Sequence, residues 1–378
     1  MPSINNSDFT VLEIDFNDDI DDIDDMLIFN STNSSMVKAL QDDPWYLFVR
    51  KFQTVMIPIV CVIGLVGNTL AAGAFLSPAL RSTSCCLHLA GKSISDIGFL
   101  LSLFIVWLNR LEVPAFTIQG ICQATVFLIY VSGFLSVWFV VMITCENFIR
   151  VSLPGHVVVW CNVTRAKFTI LVLIVISIGI YSFSLWTTGV IHHSTGAKCL
   201  AFKEYEKLVM AMTYVDSILT LAIPLVAMVF LNVGIAVGAI NAHKRRKRLF
   251  QGISRSSSRK KRDSSSPEAK VTKLLFAVSM IFLLLHTPSH VIRIKMMWAQ
   301  ILYKSTPTLC DIILHRVFEL LFYLNFSVHC AVYLIFGDNF RAVFKLLYLP
   351  NCFKSTPMQN NSFNTYCKRG SETEAILR

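Results

Sequence analysis

The chain has 378 residues, of which 54% are hydrophobic and only 15% are charged. Soluble proteins contain roughly 45–50% apolar and about 25% charged residues, so this composition excludes an ordinary soluble domain and suits a protein embedded in a bilayer. The net charge of +10 would fit a nucleic-acid partner, but the basic residues are concentrated in a few segments. We therefore expect no nucleic-acid partner.

Residues 1–47 form an acidic segment with closely spaced aspartates between Asp18 and Asp25. It begins without the basic and apolar regions of a secretory signal peptide, so the first apolar run is expected to act as the membrane signal. Such a charged, polar segment is predicted to be disordered. Asn5, Asn30 and Asn33 each begin a glycosylation sequon, which predicts glycosylation if the segment is extracellular.

Seven apolar runs follow, each long enough to cross a bilayer as a helix of about 20 residues. They cover residues 52–77, 84–108, 120–149, 166–188, 208–240, 271–298 and 312–336. Polar residues interrupt the second and seventh runs, namely Lys92, Asp96, Glu319 and His329. An amphipathic stretch follows at 338–349. We predict an all-α integral membrane fold, a seven-helix bundle over 48–350 with a short amphipathic eighth helix.

The orientation follows from the distribution of Lys and Arg, which favour the cytoplasmic loops of membrane proteins. Basic runs at 244–248 and 259–262 follow the fifth apolar run. We therefore expect a plasma-membrane protein with an extracellular N-terminus and a cytoplasmic tail over 351–378. Cys352, just after the amphipathic stretch, is a predicted palmitoylation site that would anchor the tail to membrane lipids.

Residues at ordered positions along the seven runs carry a resemblance to a known family. They are Gly67, Asn68, Asp96, Cys122, Glu146, Asn147, Pro154, Pro224, Phe282, His286, Pro288, Asn325, His329, Tyr333 and Phe340. Over residues 50–350 the sequence resembles the rhodopsin-like G-protein-coupled receptors, and among them invertebrate neuropeptide receptors. It departs from the family's pattern at Asn147, where Arg is usual, at His286, where Trp is usual, and at His329-Cys330, where Asn-Pro is usual.

The resemblance implies a polar core in which a carboxylate inside the second run, Asp96, helps to hold a sodium ion. Ser136 and Asn325 match the family's other polar residues there, and His329 replaces a usual ligand. Our hypothesis is that Asp96 pairs with His329 and that this pair weakens or replaces the ion. The alternative is a neutral His329 that is satisfied by water.

The resemblance also assigns a group of residues to the side of the bundle that faces the G protein, namely Glu146, Asn147, Glu268 and Tyr333. Asn147 cannot form the bidentate ion pair of the usual arginine. Two readings stay open: a receptor that signals without this arginine, or a binding protein that couples poorly and acts as a decoy. Arg150, one turn further on, is a candidate partial substitute.

By family position, Cys122 and Cys199 are expected to form an extracellular disulfide. Phe282, His286 and Pro288 match the region that switches on activation. The expected ligand-binding residues are Trp107, Ile129, Tyr130, His290, Arg293, Glu319 and Phe322. Arg293 and Glu319 would suit a peptide or zwitterionic ligand, or else pair with each other. His286 and His290 share a helix face, so a metal site is a weaker alternative.

These features together predict a rhodopsin-like receptor that is activated by an extracellular peptide and works through a heterotrimeric G protein, with arrestin as a further partner. The alternatives are a chemosensory receptor for a small molecule, a decoy receptor, and, from a different class, a transporter or channel. Ile129 argues against an amine ligand because an apolar side chain cannot pair with an ammonium group. The sequence lacks HExxH, G-x-S-x-G and phosphate-loop motifs, so no enzyme is expected, and no cofactor beyond a possible sodium ion.

Overall fold

Long apolar helices make up most of the structure, a computed structural model that describes residues 42–111, 113–193, 196–253, 267–303 and 307–349. Within these ranges, six helical stretches are long and apolar enough to cross a membrane. In chain order they are Pro44–Phe75, Ser84–Asn109, Ile121–Ser152, Val163–Thr187, Lys203–Arg245 and Lys270–Met296, and they are called the first to sixth spans.

The seventh span is a bent pair of helices. Leu309–Ser327 and His329–Phe336 meet at an angle of 52°, and together they pass the same test of length and composition. An amphipathic helix over Asp338–Tyr348 follows. The predicted all-α bundle of seven spans with a short eighth helix is therefore confirmed. The helix of the sixth span extends to Tyr303, past its last apolar stretch.

Several spans contain breaks in regular α-helix. The fourth joins Val163–Tyr181 to the short helix Ser184–Thr187. The fifth joins a 3₁₀ turn over Lys203–Tyr205, a helix over Glu206–Ser217, a π-helical turn over Ile218–Ala222 and a helix over Ile223–Ile253. Pro224 lies two residues after the end of this π turn, and a proline lacks the N–H that regular α-helical bonding needs. The helix over Pro267–Tyr303 instead continues through Pro288.

An antiparallel hairpin joins the fourth span to the fifth. Strand β1 (Thr188–His193) pairs with strand β2 (Gly196–Ala201), and Val190 lies opposite Cys199. A disulfide bond joins Cys199 to Cys122 at the start of the third span, as predicted. We call this side of the bundle the hairpin end. The opposite side, where the fifth span runs into the basic residues 244–248, is called the basic end.

Apolar side chains close the basic end of the bundle and cover its outer surface. Phe340 and Val343 of the amphipathic helix pack in one core cluster with Phe75 and Tyr333. A 3₁₀ turn over Pro154–His156 and a short helix over Val157–Trp160 connect the third span to the fourth. Large apolar side chains of the fourth span are exposed, which is the surface that a lipid environment favours.

Candidate functional site

A cavity of about 910 Å³, including the open space at its mouth, lies between the second, third, fifth, sixth and seventh spans. It adjoins the hairpin end, because Ile129 and Tyr130 line it and also pack against the cluster that contains Cys122 and Cys199. Predicted pocket residues that line this cavity are Ile129, Tyr130, His290, Arg293, Glu319 and Phe322.

Trp107 is the exception among the predicted pocket residues. Its indole N–H donates to the backbone carbonyl of Thr54 at 2.8 Å, and its ring stacks on Phe104 with 5.4 Å between centroids. Because these contacts turn Trp107 toward the first span, it does not line this cavity.

Two histidines of the sixth span lie on the cavity wall. The rings of His286 and His290 have centroids 3.9 Å apart, and His286 also stacks on Phe282 at 4.3 Å. Both imidazoles are buried, and none of their ring nitrogens has a hydrogen-bond partner among the described residues. A buried polar group without a partner is unfavourable, so these nitrogens are available to the polar groups of a ligand.

Of the predicted activation region, Phe282, His286 and Pro288, the residue that lines the cavity is His286, and its ring stacks on Phe282. Within the described ranges, no group of three or more His, Cys, Asp or Glu side chains is placed to hold a metal ion. The alternative of a metal ion on His286 and His290 consequently has no third protein ligand there.

The carboxylate of Glu319 on the cavity wall is fully engaged by its neighbours. Arg316 donates to Oε2 at 3.1 Å, Gln53 of the first span donates to the same oxygen at 3.1 Å, and Tyr323 donates to Oε1 at 2.6 Å. The charge partner of Glu319 is therefore Arg316, one turn away on the same helix, and not Arg293, which the sequence suggested as an alternative.

Asp216 of the fifth span also lines the cavity, although the sequence reasoning missed it. The hydroxyl of Tyr181, in the fourth span, donates to Oδ1 of Asp216 at 2.6 Å. The available signal was the charge itself, because an ionisable residue inside an apolar span marks a functional position by default.

A row of buried polar side chains runs along the second span at intervals of four residues, so that all of them lie on the same side of the helix. We call it the polar stripe; it consists of Ser84, His88, Lys92 and Asp96. Lys92 donates to Oδ2 of Asp96 at 2.6 Å, and Ser136 of the third span donates to Oδ1 at 2.6 Å.

The hypothesis that Asp96 pairs with His329 is therefore wrong. Lys92 is closer on the same helix, and neither ring nitrogen of His329 has a hydrogen-bond partner within the described ranges. Asn325 is likewise buried, and its amide has no hydrogen-bond partner in the part of the chain that the structure describes. The expected sodium ion does not fit these residues, because the ammonium of Lys92 already donates to the carboxylate and to Ser136.

The other half of the polar stripe holds Glu146 near the basic end. Ser84 donates to Oε2 at 2.7 Å, and Nδ1 of His88 lies 2.9 Å from Oε1. Arg150 approaches Oε2 at 3.5 Å, and its partial substitution for the usual arginine stays a prediction. The sequence analysis does not single out His88. Its spacing of four residues from Lys92, and of eight from Asp96, indicates that it lies on the same face of the helix.

Two of the residues predicted to face the G protein are buried in this conformation. Asn147 and Tyr333 are both fully buried. The amide of Asn147 and the hydroxyl of Tyr333 have no hydrogen-bond partner in the described part of the chain. Tyr333 is buried because the rings of Phe75 and Phe340 pack against it, and the role of both residues toward a G protein stays a prediction. The side chain of Glu268 lies outside the described residues, as do Asn5, Asn30, Asn33 and Cys352.

Comparisons with known proteins agree with this architecture. Residues 67–333 match the family described as 7 transmembrane receptor (rhodopsin family). The chain is 22% identical over 263 residues to G-protein coupled receptor 183-A of Danio rerio, covering 68% of this chain and 67% of that receptor. It is 30% identical over 137 residues to FMRFamide peptide receptor frpr-18 of Caenorhabditis elegans, covering 33% of this chain and 30% of that receptor.

Proposed function

The chain belongs to the rhodopsin family of seven-transmembrane receptors, and on this premise we propose that an extracellular peptide activates it and that it signals through a heterotrimeric G protein. Its predicted membership of this family, and its prediction as a receptor and not an enzyme, are confirmed. The proposal places the protein in the plasma membrane with its hairpin end outside, and includes arrestin and membrane lipids as partners.

The observation that carries the proposal is the cavity beside the hairpin. Its wall combines aromatic rings with ionisable groups, which is the kind of lining that ligand sites use. His286 and His290 offer ring nitrogens without protein partners among the described residues. A peptide end supplies amide donors and acceptors for such groups as well as apolar side chains for Phe322 and Ile129.

The peptide class gains support from one relative. The C. elegans receptor named for FMRFamide peptides shares 30% identity with this chain over 137 residues. That match spans a third of the chain, so it supports a class of ligand and not a particular peptide. A peptide that enters the cavity would change the packing of His286 and Phe282, and it would act by favouring one conformation of the bundle.

A second candidate function, a decoy that binds ligand without signalling, is favoured by Asn147. This residue replaces the family's arginine, and its amide is buried without a hydrogen-bond partner within the described ranges. An amide carries no charge, so it cannot make the ion pairs that a guanidinium makes.

The test measures basal and peptide-stimulated G-protein activation in cells that express the wild type or Asn147→Arg at equal surface levels. We expect the wild type to respond to a member of a peptide library. If the wild type binds peptide but stays silent while Asn147→Arg responds, the decoy function replaces the proposal.

A cavity-filling variant tests the site itself. A Cβ atom at Gly133, which lines the cavity, would meet only ring atoms of Phe99 at 3.9 Å, so the position accepts a side chain and Gly133→Leu should reduce the cavity; its surface expression is measured beside that of the wild type. The matched control is Gly179→Leu in the fourth span, where an added Cβ meets nothing within 4 Å. Loss of the peptide response in the first variant alone supports the cavity as the ligand site; an unchanged response argues against it.

A further inference from the structure

A complete ion pair lies inside the second span. Nζ of Lys92 is 2.6 Å from Oδ2 of Asp96, and both side chains have 0% exposure. Burial of a single charge is strongly unfavourable, so each of these groups depends on the other for its charged form. Their spacing of four residues places them one turn apart on the same helix face.

The third span closes this pair into a triangle. The hydroxyl of Ser136 donates to the second carboxylate oxygen of Asp96 at 2.6 Å, and Lys92 donates to the same hydroxyl at 3.3 Å. Both oxygens of Asp96 and the hydroxyl oxygen are therefore engaged by donors of the chain. These are the hard oxygen atoms that a small cation such as sodium would need as ligands.

The seventh span also contributes buried polar side chains to the interior of the bundle. The ring nitrogens of His329 and the amide of Asn325 have no hydrogen-bond partners among the described residues. Within that part of the chain, Lys92 donates to Asp96 and Ser136 and not to these groups.

We propose that Lys92 is a tethered cation that permanently takes the position a free monovalent cation would occupy beside Asp96. A covalently attached ammonium cannot dissociate, and it fills the site at any salt concentration. The bundle of this receptor is therefore insensitive to sodium. Removal of the ammonium exposes the oxygens of Asp96 and Ser136, and converts the triangle into a site for a sodium ion. The inference concerns the bundle alone and does not depend on the ligand or the G protein.

The experiment measures the melting temperature of the purified full-length receptor in sodium chloride and in choline chloride at equal ionic strength. Choline is too large to enter a buried site, so the difference between the salts reports bound sodium. We expect the wild type to melt at the same temperature in both. A sodium-dependent rise for the wild type overturns the proposal, and this measurement needs no variant.

Three variants extend the test. Lys92→Met retains most of the side-chain volume and removes the charge, and we expect it to melt several degrees higher in sodium than in choline. Asp96→Asn and the double variant Lys92→Met/Asp96→Asn lack the carboxylate, so we expect neither to respond to sodium. If the Lys92→Met variant can be purified only in sodium, its stability depends on a sodium ion, and this outcome supports the proposal. The proposal is overturned if Lys92→Met melts at the same temperature in both salts and the double variant melts at a higher temperature. That result would show that the exposed carboxylate of Asp96 binds no cation.

Discussion

Nδ1 of His88 in the second span lies 2.9 Å from Oε1 of Glu146 in the third. The carboxylate can only accept, so this contact requires the proton on Nδ1. Glu146 is the acid that precedes the position of the family's arginine, and here that position holds Asn147. The partners of the acid are instead supplied by the second span, through His88 and Ser84, and by Arg150 one turn further along the third.

This contact predicts the effect of a substitution at His88. We expect His88→Ala to lower the free energy of unfolding by about 1–3 kcal/mol, because it removes a donor from a buried carboxylate. His88→Gln retains a donor of similar reach and should lose less. Thermal unfolding of the purified variants measures both. Equal stability of the wild type and His88→Ala would show that Ser84 and Arg150 are sufficient for Glu146.

The polar stripe shows which features of the site can be predicted from the sequence and which cannot. The spacing of His88, Lys92 and Asp96 by four residues predicts a shared helix face. The sequence does not say which residue of another span meets that face, because this depends on the rotation of each helix about its axis. For this reason the sequence does not decide between His329 on the seventh span and Lys92 on the same helix as the partner of Asp96, and the structure shows that it is Lys92.

The residues that line the cavity can be predicted from the sequence more completely than the partners of the polar stripe, and the reason is physical. The resemblance to a known family supplied positions on several spans, and Ile129, Tyr130, His290, Arg293, Glu319 and Phe322 all line the cavity. Trp107 does not line the cavity, because its indole N–H donates to the backbone carbonyl of Thr54 in the first span. Side-chain direction near the end of a helix depends on such single contacts, which spacing along the sequence does not encode.

A second prediction concerns Arg316, which donates to the buried carboxylate of Glu319 at 3.1 Å. Arg316→Leu leaves this carboxylate without its charge partner, and removal of one member of a buried pair costs about 3 kcal/mol or more. We expect a lower melting temperature for Arg316→Leu and partial recovery in Arg316→Leu/Glu319→Gln, which also removes the negative charge. If the double variant is no more stable than the single one, Gln53 and Tyr323 already satisfy Glu319 and the ion pair contributes little.

A third prediction uses the close approach of the first, second and seventh spans at Gly64. A Cβ atom added there would lie 2.5 Å from Cδ1 of Leu100 and 2.9 Å from Cβ of Ser327. We expect Gly64→Ala to destabilise the bundle by about 1–3 kcal/mol, because overpacking forces neighbouring side chains to move. Gly179→Ala is the matched control: its Cβ meets nothing within 4 Å, and alanine favours helix over glycine. A control variant as unstable as Gly64→Ala would contradict the packing argument.

The fourth prediction concerns the ion pair between Lys270, at the start of the sixth span, and Asp338, at the start of the amphipathic helix. Their side chains approach to 3.1 Å, and Arg341 also contacts Asp338. If opening of the basic end moves the sixth span away from the amphipathic helix, this pair favours only the closed conformation. Both side chains are partly exposed, so the pair contributes less than about 1 kcal/mol, or at most about five-fold in the active fraction.

We expect Lys270→Glu to raise basal G-protein activation within that limit, and the exchange Lys270→Glu/Asp338→Lys to reverse the rise. Lys270→Gln, which removes the attraction without adding repulsion, should give a smaller rise.

The hydrogen bond from Lys270 lowers the pKa of the Asp338 carboxyl, and the charges of Lys270 and Arg341 act in the same direction. Because this pKa is lowered, the ion pair stabilises the closed conformation fully at any pH above the unfolded pKa of an aspartate, about 3.9. This stabilisation is lost only as the pH falls through the lower pKa of Asp338 in the folded protein. The effect of Lys270→Gln should therefore be the same throughout the neutral range, and a basal activity that changes with pH there would assign the control to another group.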